Sequence, residues 1–250
     1  GLKGLVMPMA RPAGDGWSAM PALVDVSADK SNANFTLARV DDAAMVVLSP
    51  DYRPVVGAAT DRRDVIPGGS VKLTGRIVNP GRKAVSGTLF AEADREGLRV
   101  VGRGKTFSVA PRASFDAAFT LRTAKTTRQA YYLAHAVARL DDGRTLRSPS
   151  LEARVVPVYS VKVTPEDQTI YPELKTANSL SLSIRPNSRA LRGTLTMKLT
   201  GADAFQPEAR TKVIDVDGSR DEYAASFNFT VPKKAHITET GTVTIDGAVG

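Results

Sequence analysis

The 250-residue chain contains no cysteine, only two histidines and a single tryptophan. Without cysteine it can form neither disulfide bonds nor thiolate metal sites. Neither His135 nor His236 has a second histidine at metal-ligand spacing, and no HExxH array is present. The composition therefore excludes a disulfide-stapled domain and argues against a zinc hydrolase.

Other motifs of enzyme chemistry are missing as well. The sequence has no GxSxG elbow for a serine nucleophile and no GxGxxG or GxxxxGK[ST] loop for a phosphate group. No run of about 18 apolar residues is present, and the N-terminal GLKGLVMPMARP has too short an apolar stretch for a signal peptide. We therefore expect no catalytic residue, no cofactor and no membrane span in this sequence.

Basic residues are concentrated in the middle of the chain. The net charge is +8, and residues 51–157 carry 19 Lys and Arg against 10 Asp and Glu, whereas residues 158–250 carry 11 of each. Such a segment could attract an anionic polymer. The alternative is a solubilising surface, because the charges alternate along strands instead of forming a run. The residues that would contact a polyanion are Arg99, Arg103, Lys105, Arg122, Lys125 and Arg128.

Alternation of apolar and polar residues is the main structural signal. In SVKLTGRIV, Val71, Leu73 and Ile77 share one face of a strand, and SLSLSI (179–184) and GTLTMKL (193–199) alternate in the same way. Pro-Gly, Asn-Pro-Gly and Asp-Asp-Gly turns separate the alternating segments. Strands divided by frequent turns predict an all-β sandwich.

The alanine-rich residues 123–140, TAKTTRQAYYLAHAVARL, could also be read as a helix. The β-branched and aromatic flanks, with the Asp-Asp-Gly turn that follows, favour a strand and hairpin instead. Because Tyr131 and Tyr132 are adjacent, a strand directs them to opposite faces, and one of them must leave the core. That tyrosine is the candidate for an exposed aromatic contact.

Two stretches of the chain are nearly the same. VNPGRKAVSGTL, residues 78–89, returns as IRPNSRALRGTL, residues 184–195, with Pro80 matching Pro186 and Gly87-Thr88-Leu89 matching Gly193-Thr194-Leu195. The offset between matching residues is constant at 106. A constant offset predicts that a structural unit has been duplicated.

The repeat predicts two tandem immunoglobulin-like β-sandwiches, at residues 53–157 and 158–250. After YYLAHAVARL the first unit has a turn and a further strand, RTLRSPSLEARVV, whereas GTVTIDGAVG has no such sequel. We therefore expect the second sandwich to lack its last strand, so that the chain is a fragment or residues from elsewhere complete that sheet. Residues 1–52 read as a short β-rich segment, either the tail of a preceding domain or strands packed on the first sandwich.

The order PGGSVKLTGRIVNPGRKAVSGTLFAE, FSVAPRASFDAAFTLRTA and YYLAHAVARLDDGRT resembles the immunoglobulin-like accessory modules of bacterial exported proteins, of the alpha-galactosidase-associated and cell-adhesion-related types. The resemblance covers residues 55–250, and unit two departs from it with Glu173-Leu174 where a Gly-Gly turn is usual. It implies a secreted, periplasmic or cell-surface location, and a spacer or binding role beside hydrolases or surface proteins.

One acidic stretch, DVDGSRDE, offers Asp215, Asp217 and Asp221 as candidate calcium ligands because several hard oxygens lie near a glycine. The spacing departs from the DxDxDG rule, since Gly218 directly follows Asp217. A solvated turn is the alternative that we favour.

Three functional hypotheses follow. The first is a non-catalytic tandem region of a larger exported bacterial protein, acting as a spacer or interaction surface with neighbouring domains of that protein. The second is a basic module that binds anionic cell-envelope polysaccharide or another envelope protein, with nucleic acid not expected. The third is an accessory part of a secreted carbohydrate-active hydrolase whose catalytic domain lies outside this chain.

Overall fold

The structure is a computed structural model that describes residues 2–8, 11–28, 33–35, 44–47, 53–164, 178–188, 191–201, 203–230 and 241–249. The fold is all-β, as the alternation predicts. One 3-10 turn, Asp203–Phe205, is the helical element of these segments. No helix in them is long and apolar enough to cross a membrane.

The chain divides into two compact units, Gly1–Val156 and Pro157–Gly250. The strands of the first unit are β1 (Leu2–Pro8), β2 (Arg11–Ala13), β3 (Gly16–Ala19), β4 (Ala22–Ala28), β5 (Ala33–Phe35), β6 (Ala44–Val47), β7 (Val55–Thr60), β8 (Asp64–Val65), β9 (Ser70–Asn79), β10 (Val85–Ala93), β11 (Leu98–Val101), β12 (Lys105–Val109), β13 (Ala113–Thr123), β14 (Tyr131–Leu140), β15 (Thr145–Arg147) and β16 (Leu151–Val155).

The second unit contributes β17 (Tyr159–Thr164), β18 (Asn178–Pro186), β19 (Gly193–Gly201), β20 (Thr211–Val216), β21 (Tyr223–Phe229) and β22 (Gly241–Val249).

The first sandwich consists of two packed sheets. One has the order β12-β10-β14-β16-β8 with β15 paired to β14, and the other has the order β11-β13-β9-β7-β3-β2. Val71, Leu73 and Ile77 of β9 are at most 1% exposed, so the predicted apolar face of this strand is the buried one. Gly75 lies on the same face, where an added Cβ would come within 2.9 Å of the Ala136 Cβ. The two sheets therefore approach closely at this glycine.

The N-terminal residues are divided between two sheets. Strands β5-β4-β1-β6 form a four-stranded antiparallel sheet, whereas the β2–β3 hairpin extends a sheet of the first sandwich. Trp17 of β3 packs against the first core, and its backbone N–H donates to the Thr60 hydroxyl at 2.9 Å. Residues 11–19 are thus part of the first sandwich.

The second sandwich has a smaller version of the same design, with sheets β17-β18-β21 and β20-β19-β22. Leu182 and Ile184 of SLSLSI are buried, and so are Leu195, Met197 and Leu199 of GTLTMKL. Both alternating segments are therefore strands that turn their apolar side to a core, as predicted.

The repeated stretch includes the same central strand in both units. Gly87 of β10 lies opposite Phe107 and Leu140, and Gly193 of β19 lies opposite Val216 and Val249. In the other sheet, β9 lies between β7 and β13 as β18 lies between β17 and β21. Six strands of each unit therefore pair in the same pattern.

The two units differ in the strands that lie along one side of each sandwich. In the first, β16 and β8 continue the sheet beyond β14, while β3 and β2 continue the other sheet beyond β7. Within the described segments of the second unit, no strand pairs with the outer edge of β22 or of β17. These are the edges that correspond to those of β14 and β7.

Candidate functional site

The exposed basic residues of the first sandwich are partly brought together at one end. The loop after β10 and the loop after β13 are tied by the Thr127 hydroxyl, which donates to the Gly97 carbonyl at 3.1 Å. Just beyond these loops, Arg99 of β11 lies directly opposite Arg122 of β13 in the sheet register. Two like charges facing each other across adjacent strands are destabilising, so the fold itself gains nothing from this pair.

Four of the six basic residues predicted to contact a polyanion thus belong to this end of the sandwich. We call Arg99, Arg122, Lys125 and Arg128 the basic end. Arg103 and Lys105 lie apart from it, where the chain crosses from β11 to β12.

All six side chains are exposed, and none of them makes an ion pair with another residue of the described segments. Asp94 and Glu96 lie in the loop after β10 and reduce the local positive charge. The basic end is therefore an exposed surface of moderate positive charge.

The two adjacent tyrosines of β14 point to opposite faces. Tyr132 is 6% exposed, and its hydroxyl donates to the Arg128 carbonyl at 3.1 Å, whereas Tyr131 is 56% exposed. Leu133, two residues along on the outer face, is 41% exposed. Arg154 lies opposite Tyr131 and forms two hydrogen bonds to Asp64, at 2.8 and 2.7 Å, that raise the pKa of the guanidinium group. Tyr131 therefore offers a flat apolar contact beside a charged pair.

The acidic stretch of the second unit forms a turn between its two sheets. One Asp217 oxygen accepts hydrogen bonds from the Ser219 hydroxyl and the Tyr223 hydroxyl, each at 2.6 Å, and from the Ser219 amide at 2.9 Å. These bonds, the Ser219 hydroxyl first, hold the pKa of Asp217 below its ordinary value. The Tyr223 hydroxyl in turn accepts from the Gly218 amide at 3.0 Å. Asp217 therefore fixes the conformation of this turn.

The other candidate calcium ligands lie elsewhere. Asp215 on β20 accepts a hydrogen bond from the Thr194 hydroxyl at 3.0 Å, and Asp221 follows the turn. Within the described segments, no three His, Cys, Asp or Glu side chains come together as a metal site, and the three aspartates do not form one. The structure therefore gives the calcium hypothesis no support beyond the sequence pattern.

A cluster of charged groups surrounds His135 of β14. His135 is 4% exposed, with Nε2 at 3.4 Å from Glu92 and Nδ1 at 3.3 Å from Asp94. Neither ring nitrogen has a hydrogen bond of acceptable geometry. Arg147 pairs with Glu92 at 3.0 Å.

No sequence signal identified this cluster. Glu92 and His135 are neighbours because β10 and β14 pair in one particular register, and that register cannot be read from either strand alone.

Comparison with known proteins found no matching family model and no matching curated protein. Among solved structures, a red sea bream transglutaminase is 10% identical with a TM-score of 0.39, covering 80% of this chain and 29% of its own length. The D0-D1 domain of intimin is 10% identical, with a TM-score of 0.29 and coverage of 69% and 82%. CBD12 from CALX1.2 is 12% identical, with a TM-score of 0.34 and coverage of 72% and 76%. This chain thus spans under a third of the transglutaminase, and the strand pairings, rather than these similarities, define its sandwich fold.

Proposed function

We propose that the chain is a tandem immunoglobulin-like region of a larger exported bacterial protein, in which it acts as a non-catalytic spacer and interaction region. The observation that supports this role is the construction of one six-strand pattern twice, each copy around its own apolar core. Separate cores allow each unit to fold and bear load by itself, which is what a modular spacer requires.

Stretching single molecules of the chain tests the spacer role. Two separate cores predict two unfolding events, which release about 550 Å of chain from the 156-residue first unit and about 330 Å from the 94-residue second unit, at about 3.5 Å per residue. A Leu195→Ala variant, which removes a buried side chain of the second core, should weaken one event and leave the other unchanged. A single event that involves the whole chain would contradict the proposal.

A second candidate function is binding of an anionic polysaccharide at the basic end. It is favoured by the position of Arg99 directly opposite Arg122, because a pair that opposes folding calls for a reason outside the fold. An anionic chain lying across both guanidinium groups would relieve their repulsion. Secreted or cell-surface location belongs to this proposal as well, since such polymers are found in the cell envelope.

Heparin retention tests the second candidate. We expect the double variant Arg99→Ser/Arg122→Ser to elute at clearly lower salt than the unmodified chain, because exposed charges act through screened Coulomb attraction. The matched control is Arg185→Ser/Lys198→Ser, which removes two exposed cations of the second unit. Equal loss of retention in both variants would show that net charge alone accounts for the binding.

A further inference from the structure

Among the described residues of the second sandwich, core-facing side chains are partly exposed on one side, and the corresponding strands of the first sandwich show what covers that side there. Val56 of β7 lies opposite Ile77, and Val161 of β17 lies opposite Ile184. Both isoleucines are fully buried. Val56, however, is 2% exposed and Val161 is 40% exposed. A core-facing valine beside the inner strand is therefore closed off from water in the first unit and open to it in the second.

The facing sheet shows the same difference. Ala136 of β14 lies opposite Ala91, as Ile245 of β22 lies opposite Met197. Ala136 is completely buried, whereas Ile245 is half-buried although its larger side chain packs against the second core. Val243, the next core-facing residue of β22, is half-buried too. Because these large apolar side chains are half exposed, their burial stabilises the second sandwich less than full burial would.

These uncovered residues lie on one side of the sandwich. In the second unit β20 and β21 contact each other across the two sheets, so β22 and β17 are the edges at the opposite side. In the first unit this side is occupied by β16, which contacts β3 and β7. We call the corresponding surface of the second unit the open flank. It is formed by Val161, Val163, Val243 and Ile245 together with the outer edge of β22, with which no strand of the described segments pairs.

We infer that the open flank receives a β-strand from a segment of the parent polypeptide outside residues 1–250. The strand pairs antiparallel with β22 and inserts apolar side chains at alternating positions between the two sheets. The inference rests on the proposed function, because it takes the chain to be one region of a larger protein. Strand addition of this kind combines backbone hydrogen bonds with pockets for every second side chain.

Strand β16 shows the chemistry of the occupant. Its inward residues Leu151, Ala153 and Val155 are at most 2% exposed, and Leu151 lies opposite Ala134 of β14. Its outward residues are charged. The occupant is therefore an extended segment with three apolar residues in alternation and polar residues between them.

The size of the inserted side chains should differ from those of β16. Val243 and Ile245 stand where the first unit has Ala134 and Ala136, as the register with β19 and β10 shows. Because β22 already contributes the larger side chains, the opposing strand needs smaller ones than leucine to reach the same packing density.

A second copy of this chain fits the flank less well. Two β22 strands paired edge to edge would satisfy each other's backbone groups, but the second sheet edge, with Val161 and Val163, would stay uncovered. An inserted strand reaches both sheets, as β16 does through its contacts with β14 and β7. The parent polypeptide is the favoured source, because the first unit closes its own flank with the strand that follows β14 and β15.

The test grafts a second copy of residues 141–156, which carry β15 and β16, onto the chain after Gly250, with valine in place of Leu151 so that every inserted side chain is smaller than leucine. We expect amide hydrogen exchange of residues 241–249 to slow at least tenfold relative to the chain without a graft, because the free edge of β22 gains a partner. The control graft carries Ser in place of the three inward residues and should leave exchange unchanged. Val161→Lys in the grafted chain should reverse the protection.

Three results would overturn the inference. Equal exchange with the apolar and serine grafts would show that the flank does not select inserted apolar residues. Concentration-dependent dimerisation of the ungrafted chain, with protection of β22, would assign the flank to a second copy. Binding of the peptide 149–156 in solution without protection by the tethered graft would assign it to a separate polypeptide. The stretching experiment reports on the two cores independently, so failure of the spacer role and failure of this inference are distinguishable.

Discussion

The two sandwiches share six strands in one pairing pattern and differ in what lies beside them. In the first, strands β3 and β16 close the side between the two sheets, and in the second the corresponding edges belong to β17 and β22. Ile77 of the inner strand β9 and Ile184 of the inner strand β18 are both fully buried. The comparison teaches that the repeated strands set the topology, whereas the flanking strands decide how much of the core is protected from water.

The largest expected effect comes from a charge placed at core-facing valines of the corresponding strands β7 and β17. Val56→Asp buries a carboxylate without a partner and should destabilise the first sandwich by more than about 4 kcal/mol. Val161→Asp, at a site that is 40% exposed, should cost about 1 kcal/mol or less, because its carboxylate can stay hydrated. Urea denaturation of both variants, monitored for each unit by hydrogen exchange, measures the contrast. Similar losses in the two units would mean that the second flank is covered in solution.

The next largest effect, the loss of stability when a core leucine is truncated, should be equal in the two units. Leu89 and Leu195 are the same position of the repeat, at 0% and 1% exposure. Truncation of either to alanine removes a fully buried side chain and leaves a cavity, which typically costs about 2–5 kcal/mol. Calorimetry should show each variant lowering the unfolding temperature of its own unit by a similar amount. A much smaller loss for Leu195→Ala would indicate that the second core is loosely packed throughout and not only at its flank.

Alternation and turn residues were sufficient to predict the fold class. The inward face of β9 and the hairpin after Leu140 follow from local patterns, since each needs only a few consecutive residues. The adjacent tyrosines also required only the geometry of a strand to be assigned to opposite faces.

Pairings between distant strands could not be predicted in this way. The opposition of Arg99 and Arg122 depends on the register of β11 against β13, and the carboxylates around His135 depend on that of β10 against β14. The difference in exposure between Val56 and Val161 is even harder to predict from the sequence. It arises because β3, far away in sequence, pairs with β7, and because β16 contacts both of these strands, so no property of either valine's own strand predicts it.

A smaller effect on stability is expected at two turns, one in each unit, whose aspartates accept hydrogen bonds from different kinds of donor. In the first unit the Arg144 guanidinium donates to Asp142 at 2.6 Å and lowers the pKa of that carboxyl, whereas hydroxyl groups do so for Asp217. A lowered folded-state pKa gives stability that is present above the unfolded pKa of about 3.9 and is lost as the pH falls through the folded-state value.

Replacing either aspartate with asparagine should therefore lower the urea midpoint of its unit at pH 7, and the difference from the unmodified chain should shrink as the pH falls below about 4. Salt should separate the two variants. At 1 M NaCl, where the Debye length is about 3 Å, the effect of Asp142→Asn should decline and that of Asp217→Asn should persist, because neutral donors are not screened. A pH-independent difference for Asp217→Asn would contradict the role of its charge in the turn.

The smallest predicted effect has the opposite sign. Arg99→Ser removes one of two like charges that face each other on β11 and β13, and it should stabilise the first sandwich by about 0.2–1 kcal/mol at low salt. The gain should vanish at high salt, since both groups are exposed. Arg139→Ser is the matched control, because that guanidinium lies 5.1 Å from the Phe90 ring centroid and 3.7 Å from Glu92, and its loss should destabilise. If Arg99→Ser instead lowers stability, the pair contributes to the fold, and the argument that it exists for an anionic partner loses its basis.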